Sequence, residues 1–173
     1  MSDANPTPNT VTLREIIPSD LDVYFTQQQD AEANYMAAFT SRDPFDRDAF
    51  DIHWTKIMSD HTIINRTILY NGQVAGNIAK FTMFNQPEIG YWIGKEFWGK
   101  GITTRALSLF LKVVTERPLY AAAAKDNFAS LRVLQKCGFI LCQSAIDQEP
   151  ELAEKSHILL TLAAPDTNEG ETG

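Results

Sequence analysis

The stretch that most constrains the fold is Glu88-Ile89-Gly90-Tyr91-Trp92-Ile93-Gly94-Lys95-Glu96-Phe97-Trp98-Gly99-Lys100-Gly101-Ile102-Thr103-Thr104-Arg105-Ala106-Leu107. Its first part, residues 89–93, is short, apolar and aromatic, the pattern of a buried strand. Gly99 and Gly101 follow, two apart, where a backbone can approach a ligand closely. From Thr103 onward Ala106, Leu107, Leu109, Phe110, Leu111, Val113 and Val114 recur at helical spacing. A strand, a glycine loop and a helix start gather free N–H groups and the positive end of a helix dipole at one point, which is an anion site suited to phosphate.

Two common phosphate motifs fail here. Residues 94–100 have the Walker A spacing, but Gly101 stands where Ser or Thr should hold magnesium. The dinucleotide fingerprint breaks because Gly99-Lys100-Gly101 is followed by Ile-Thr-Thr. The anion is therefore expected to be neither a magnesium nucleotide nor NAD.

A second stretch, Asn127-Phe128-Ala129-Ser130-Leu131-Arg132-Val133-Leu134-Gln135-Lys136-Cys137-Gly138-Phe139, follows a strand-like run over 119–124. Together the two stretches resemble the GNAT family of N-acetyltransferases, and within it the RimJ/RimL-like branch, which modifies protein N-termini and other amines. The family's loop reads Gln/Arg-x-x-Gly-x-Gly/Ala; here it is Trp98-Gly99-Lys100-Gly101-Ile102-Thr103, with Gly101 matching and Trp98 and Thr103 departing. The Tyr-Trp-Ile-Gly and Trp-Gly-x-Gly wording is similar to that branch. The resemblance covers residues 11–163. It implies acetyl-CoA as co-substrate, without metal. The implied fold is α/β: a mixed, mostly antiparallel sheet with one parallel strand pair at the cofactor cleft, flanked by helices.

It also implies roles for residues. The backbone of Trp98, Gly99, Lys100, Gly101, Ile102 and Thr103 would hold the pyrophosphate, with charge from Lys100 and Arg105. The pantetheine arm would lie beside Tyr91, Trp92 and Ile93. Asn127 reads either as a helix cap or, as in the family, as a bond to the coenzyme arm. Amine attack on a thioester needs a base, an oxyanion donor and an acid. Glu88 is the candidate base, acting through water, and a main-chain N–H near Ile93 the oxyanion donor. The family's acid is often a Tyr, but the matching position is Leu134; Ser130, one turn after Asn127, is the substitute.

The rest of the chain agrees with one domain over residues 10–164, between a polar arm (1–9) and a polar tail (165–173). Its 173 residues are enough for a proper core. Net charge is −7, which argues against nucleic acid and fits a cationic small-molecule or peptide amine. No apolar run reaches a membrane span's length and no signal peptide is visible. The two cysteines, Cys137 and Cys142, fit a reducing, cytoplasmic setting. The expected elements are a strand over 11–17 and helices over 21–30, 31–39 and 46–58. A hairpin follows, with strands 62–70 and 74–84 joined by Asn71-Gly72. The cofactor strand, a helix to about 117, and strands over 119–124, 139–145 and 157–163 complete the set. Gly138 ends a helix in the left-handed conformation. The three helical segments before residue 59 are dense in aromatics, including Phe25, Tyr35, Phe50 and Trp54; these read as core or as the acceptor pocket. His53, His61 and His157 lack metal-ligand spacing, and Cys137 is expected to pack rather than react.

Two other classes remain beside the enzyme, which is expected as a monomer or homodimer. One is a non-catalytic coenzyme A-binding sensor or scaffold; the other is an unrelated phosphate-binding module.

Overall fold

Asn71 and Gly72 turn the chain with φ of 50° and 80°, both left-handed, as a two-residue hairpin requires. They join β2 (Ile64–Tyr70) to β3 (Gln73–Met83). The structure, a computed structural model, describes residues 9–36, 43–142 and 157–164. A second tight turn at Phe84 and Asn85 leads to β4 (Gln86–Ile93), antiparallel to β3. β1 (Val11–Arg14) pairs antiparallel with β2. On the other side β5 (Leu119–Ala124) runs parallel to β4, β7 (His157–Leu162) antiparallel to β5, and β6 (Ile140–Leu141) antiparallel to β7. The order is β1-β2-β3-β4-β5-β7-β6, the mixed sheet with one parallel pair that the sequence led us to expect.

Strand alternation divides the side chains between two faces. Ile78, Ile89 and Ile93 join Ile102, Ala106, Leu107 and Phe110 of α4 (Ile102–Val113) and Leu134 of α5 (Phe128–Lys136) in the main core. The opposite face is covered by α1 (Asp20–Gln28), α2 (Ala31–Met36) and α3 (Arg47–Ser59). A smaller cluster of Ile16, Tyr24 and Phe50, with Trp54 against it, packs there. A buried polar chain ties α1 to the sheet. Arg14 pairs with Asp20 at 2.6 Å, Thr67 donates to Asp20 at 2.7 Å, and Tyr24 lies 2.5 Å from Thr67.

Several ends differ from expectation. β1 stops at Arg14 because that side chain turns to Asp20. α1 starts at Asp20, whose carboxylate accepts from Ile17 N–H, while Ser19 makes no cap bond. α3 is capped by Asp46, which accepts from Ala49 N–H. α4 ends at Val113, short of the expected 117, where buried Val114 already turns to an extended conformation with φ −98° and ψ 102°. Gly138 has φ of 96°, the left-handed helix end expected of it. Phe139 is a buried residue after the helix rather than the start of a strand. The ends expected over 37–39 and 143–145, the arm over 1–8 and the tail over 165–173 lie outside the described residues. Among those residues, no helix is long and apolar enough to cross a membrane, and no group of His, Cys, Asp and Glu could hold a metal ion.

Candidate active site

The parallel pairing of β4 and β5 registers Glu88 with Tyr120 and goes no further. Beyond that point β4 continues to Ile93 and β5 to Ala124 without paired residues between them. Gly94 N–H donates to Ala75 O at 2.9 Å, which fixes which backbone groups of β4 face β3. Ladder alternation then turns the main chain of Tyr91 and Ile93 toward β5, where the strands have parted. An extended, amide-rich ligand can add to that edge as a further strand. The Ile93 carbonyl at its far end accepts from Trp98 Nε1 at 2.9 Å.

The glycine loop closes that end. After a short 3-10 turn (Lys95–Phe97), Gly99 and Gly101 have φ of 74° and 71°. No atom lies within 4 Å of a Cβ built on either. The loop therefore faces open space, and its glycines are required by backbone conformation. Gly101 is the N-cap of α4, and Arg105 N–H returns to its carbonyl. The amides of Ile102, Thr103 and Thr104 precede that first intrahelical bond and point out of the helix end. Ile102 is itself buried, so it offers a ligand only its backbone. The Lys100 ammonium lies 5.7 Å above the Tyr70 ring. Arg105 donates to Lys100 O at 3.3 Å and to Asn9 O, bracing the loop against the start of the described chain.

At the other end a cavity of about 750 Å³ reaches through the sheet. Tyr91, Ser130, Leu134 and Asn127 line its cleft side, and Glu88, Phe81, Phe50 and Trp54 its other side. Glu88 is only 4% exposed. It is interior, between its register partners Phe81 and Tyr120, rather than a surface carboxylate at a strand end. Trp92, expected beside the coenzyme arm, shares the Glu88 face in register with Asn77, and its main-chain groups face β3, so it offers the cleft neither side chain nor backbone; its indole N–H is buried with no partner among the described residues.

On the cleft side the Tyr91 hydroxyl is 2.6 Å from Ser130 Oγ. Burial pushes the Tyr91 phenol up to about 12, despite its hydrogen bond with Ser130, so it keeps its proton at neutral pH. Asn127 caps α5, accepting from Ser130 N–H at 3.1 Å, and its amide nitrogen donates to Met36 O at 3.0 Å. It thus ties α2 to the start of α5. Tyr35 repeats the tie by donating to Asp126 at 3.0 Å.

Glu88, Tyr91, Asn127 and Ser130, all expected at the site, line one cavity, whereas of residues 98–103 only 98–101 form the loop and Ile102 and Thr103 open α4. Sequence reasoning missed the Tyr91 phenol as partner of Ser130, and it missed Phe81 and Asn77; the period-2 spacing of Asn77, Ala79 and Phe81 along β3 was the available signal. His53, read as structural, stands on the cavity wall, its pKa lowered by desolvation and by Lys56. Cys137 packs between α4 and α5, against Ser108 and Thr104 O at 3.7 Å, as expected of a packing residue.

A family model described as an acetyltransferase (GNAT) domain matches residues 10–140. YdaF of Bacillus subtilis, provisionally assigned as a ribosomal N-acetyltransferase, is 28% identical over 142 residues, which are 75% of this chain and 78% of YdaF. A domain from Methanocaldococcus jannaschii superposes with a TM-score of 0.72 at 20% identity, covering 90% of this chain and 99% of that one. RimJ of Mycobacterium smegmatis, solved with CoA-disulfide, gives 0.71 at 18% identity, covering 93% and 85%. At such identities the two structures bear on fold, and they share this one.

Proposed function

The chain belongs to the GNAT acetyltransferase family, and we propose that it moves an acetyl group from acetyl-CoA to a primary amine by direct attack within the β4–β5 cleft. It is an N-acetyltransferase; the residues that act and the acceptor are the proposal. The observation that carries it is the single register pair Glu88–Tyr120. Beyond that pair the cleft opens, with a glycine loop at one end and a buried carboxylate facing a cavity at the other.

The residues fit the co-substrate. Gly99 and Gly101 leave open space before the amides of α4, which would hold a pyrophosphate without metal. The edge of Tyr91 and Ile93 would hold the pantetheine amides. Trp98 and Lys100 complete the loop. Asn127 donates one amide N–H to Met36 O and accepts from Ser130 N–H; its second amide N–H would bond the coenzyme arm. When bound, acetyl-CoA supplies an acetyl group activated as a thioester.

Glu88 takes the proton of the incoming ammonium, directly or through one water, inside the cavity it lines. The Ile93 N–H faces the cleft and is placed to stabilise the developing oxyanion. Ser130 would give a proton to the departing thiolate and take back the one that the attacking nitrogen sheds as the amide forms, and Tyr91 holds the Ser130 hydroxyl in place. The ribosomal assignment of YdaF makes a protein amine one candidate acceptor.

Free thiol released from acetyl-CoA on adding amine, with a matching acetylated product, tests this. Binding of acetyl-CoA, seen as a raised melting temperature, without thiol release for any amine would identify a coenzyme A sensor instead. A melting shift abolished by chelator would overturn the metal-free phosphate site.

A further inference from the structure

On the Glu88 side of the sheet the cavity wall is aromatic. The Tyr24 and Trp54 rings are 5.1 Å apart, and Phe50 and Trp54 6.0 Å. Phe81 faces the cavity from β3, and Ile57, Ile63 and Met83 extend the apolar surface. Glu88 is the carboxylate among the described lining residues, and it is interior. The other polar groups on this side carry no negative charge: the Asn65 and Asn77 amides, the Thr82 hydroxyl, and His53, whose pKa is lowered by desolvation and by Lys56. One buried carboxylate matches one ammonium group, and aromatic faces attract a cation while burying the carbon skeleton behind it.

We infer that the acceptor is a primary amine with a single positive charge carried on an apolar body, held by Phe50, Trp54 and Phe81 with its amino group at Glu88. This rests on the transferase reading and narrows its substrate class. A peptide N-terminus with an apolar first side chain belongs to the class. Polyamines and amino sugars, with several charges, do not. A second ammonium driven against the Phe50–Trp54–Phe81 wall loses its hydration there without a carboxylate partner among the described residues.

The n-alkylamines from propyl to hexyl test it, since they share one charge and nearly one basicity and differ only in body. Each methylene buried against the wall should raise kcat/KM about fourfold. Hexylamine should exceed spermidine by about tenfold or more. Trp54→Ala should flatten the series. Trp54→Phe, which keeps an aromatic ring in the cluster if the alanine variant folds poorly, should retain most of the slope. A flat series in the parent, or spermidine equal to or better than hexylamine, overturns the inference and moves acceptor recognition to carboxylates outside the described residues.

Binding of the same amines in the presence of coenzyme A, followed by the fluorescence lost in Trp54→Phe, separates this from the transferase reading. Hexylamine binding above spermidine without any thiol release sustains the pocket and sinks the transferase. Thiol release with spermidine favoured sinks the pocket and sustains the transferase. No binding of any amine with no thiol release sinks both.

Discussion

The Tyr91 hydroxyl and Ser130 Oγ lie 2.6 Å apart, joining β4 to α5 across the cleft. Two hydroxyls so placed share one proton in the bond between them and leave the other free to reach a ligand. Leu134, where related chains often carry the acid, has no proton to give and is buried one turn further along α5. Ser130→Ala should lower turnover by about tenfold, less than loss of the base, because a thiolate leaves without much help. Tyr91→Phe should lower it by a similar or smaller factor, and the double variant should cost no more than the larger single one, since the pair acts as a unit. Additive losses in single-turnover kinetics would show that the two hydroxyls act separately.

The raised Tyr91 pKa also predicts a stability limb. A phenol whose folded value lies above its unfolded value favours the protonated, folded state. Its contribution is complete below the ordinary value of 10.0 and is lost as pH rises through about 12. Tyr24 shifts in the same direction, again chiefly by burial. Urea midpoints measured from pH 9 to 12 should fall, and Tyr91→Phe should reduce the slope of that fall. An unchanged slope would show that Tyr91 ionises as easily folded as unfolded.

Gly101 and Gly72 form a natural control. Both have positive φ, 71° and 80°, and a Cβ built on either meets no atom within 4 Å. Alanine at either should cost on the order of 1–2 kcal/mol of stability from backbone strain alone. Only Gly101 faces the proposed phosphate, so Gly101→Ala should weaken acetyl-CoA affinity by about tenfold or more while Gly72→Ala leaves it unchanged. Titration of both variants at equal folded fraction decides it. Equal affinities would reduce the loop to a turn.

How far the chain could be read beforehand depended on whether a feature was local. Asn71-Gly72 and Gly138 were legible because few backbone conformations suit those residues at those points. The glycine loop was legible for the same reason, and the sheet followed from hairpin and crossover logic. The bond from Tyr91 to Ser130 spans 39 positions, and only the docking of α5 beside β4 reveals it. Glu88 precedes the apolar run 89–93, and its burial was not legible there; β4 begins two residues earlier and is flanked by β3 and β5, which buries it. The end of α4 was overrun because Pro118 marks a limit only at the residue before it, whereas the helix stops earlier, where buried Val114 turns extended into the core.

Arg14 and Asp20 anchor α1 against the sheet under the aromatic wall. Asp20 is fully buried, which alone would raise its pKa. The bonds from Arg14, Thr67 and Ile17 N–H outweigh that and leave it below its ordinary value of 3.8. A depressed carboxylate gives stability that is present above the unfolded value and lost as pH falls through the folded one. Arg14→Met should cost on the order of 1–3 kcal/mol, moderated because Arg14 is one-third exposed. Asp20→Asn should remove the acid limb attributable to this group. Acid unfolding curves that match the parent in both variants would show the pair to be energetically neutral.

Glu88 carries the central assignment. Its carboxylate is interior, faces the cavity, and lies where the parallel pairing ends and the cleft begins. Glu88→Gln keeps shape and burial but cannot accept a proton at neutral pH. It should lower turnover by about 10² or more while leaving acetyl-CoA affinity nearly unchanged, because the phosphate loop and the Tyr91–Ile93 edge are intact. The parent's kcat/KM should rise with pH as the base deprotonates, and the variant should lose that limb, retaining only the titration of the amine itself. His53, on the same wall and neutral at pH 7, is the control: His53→Gln should leave the limb in place. A silent Glu88→Gln beside a crippled His53→Gln would transfer the base role to the imidazole. Both variants silent would mean that the amine arrives already deprotonated.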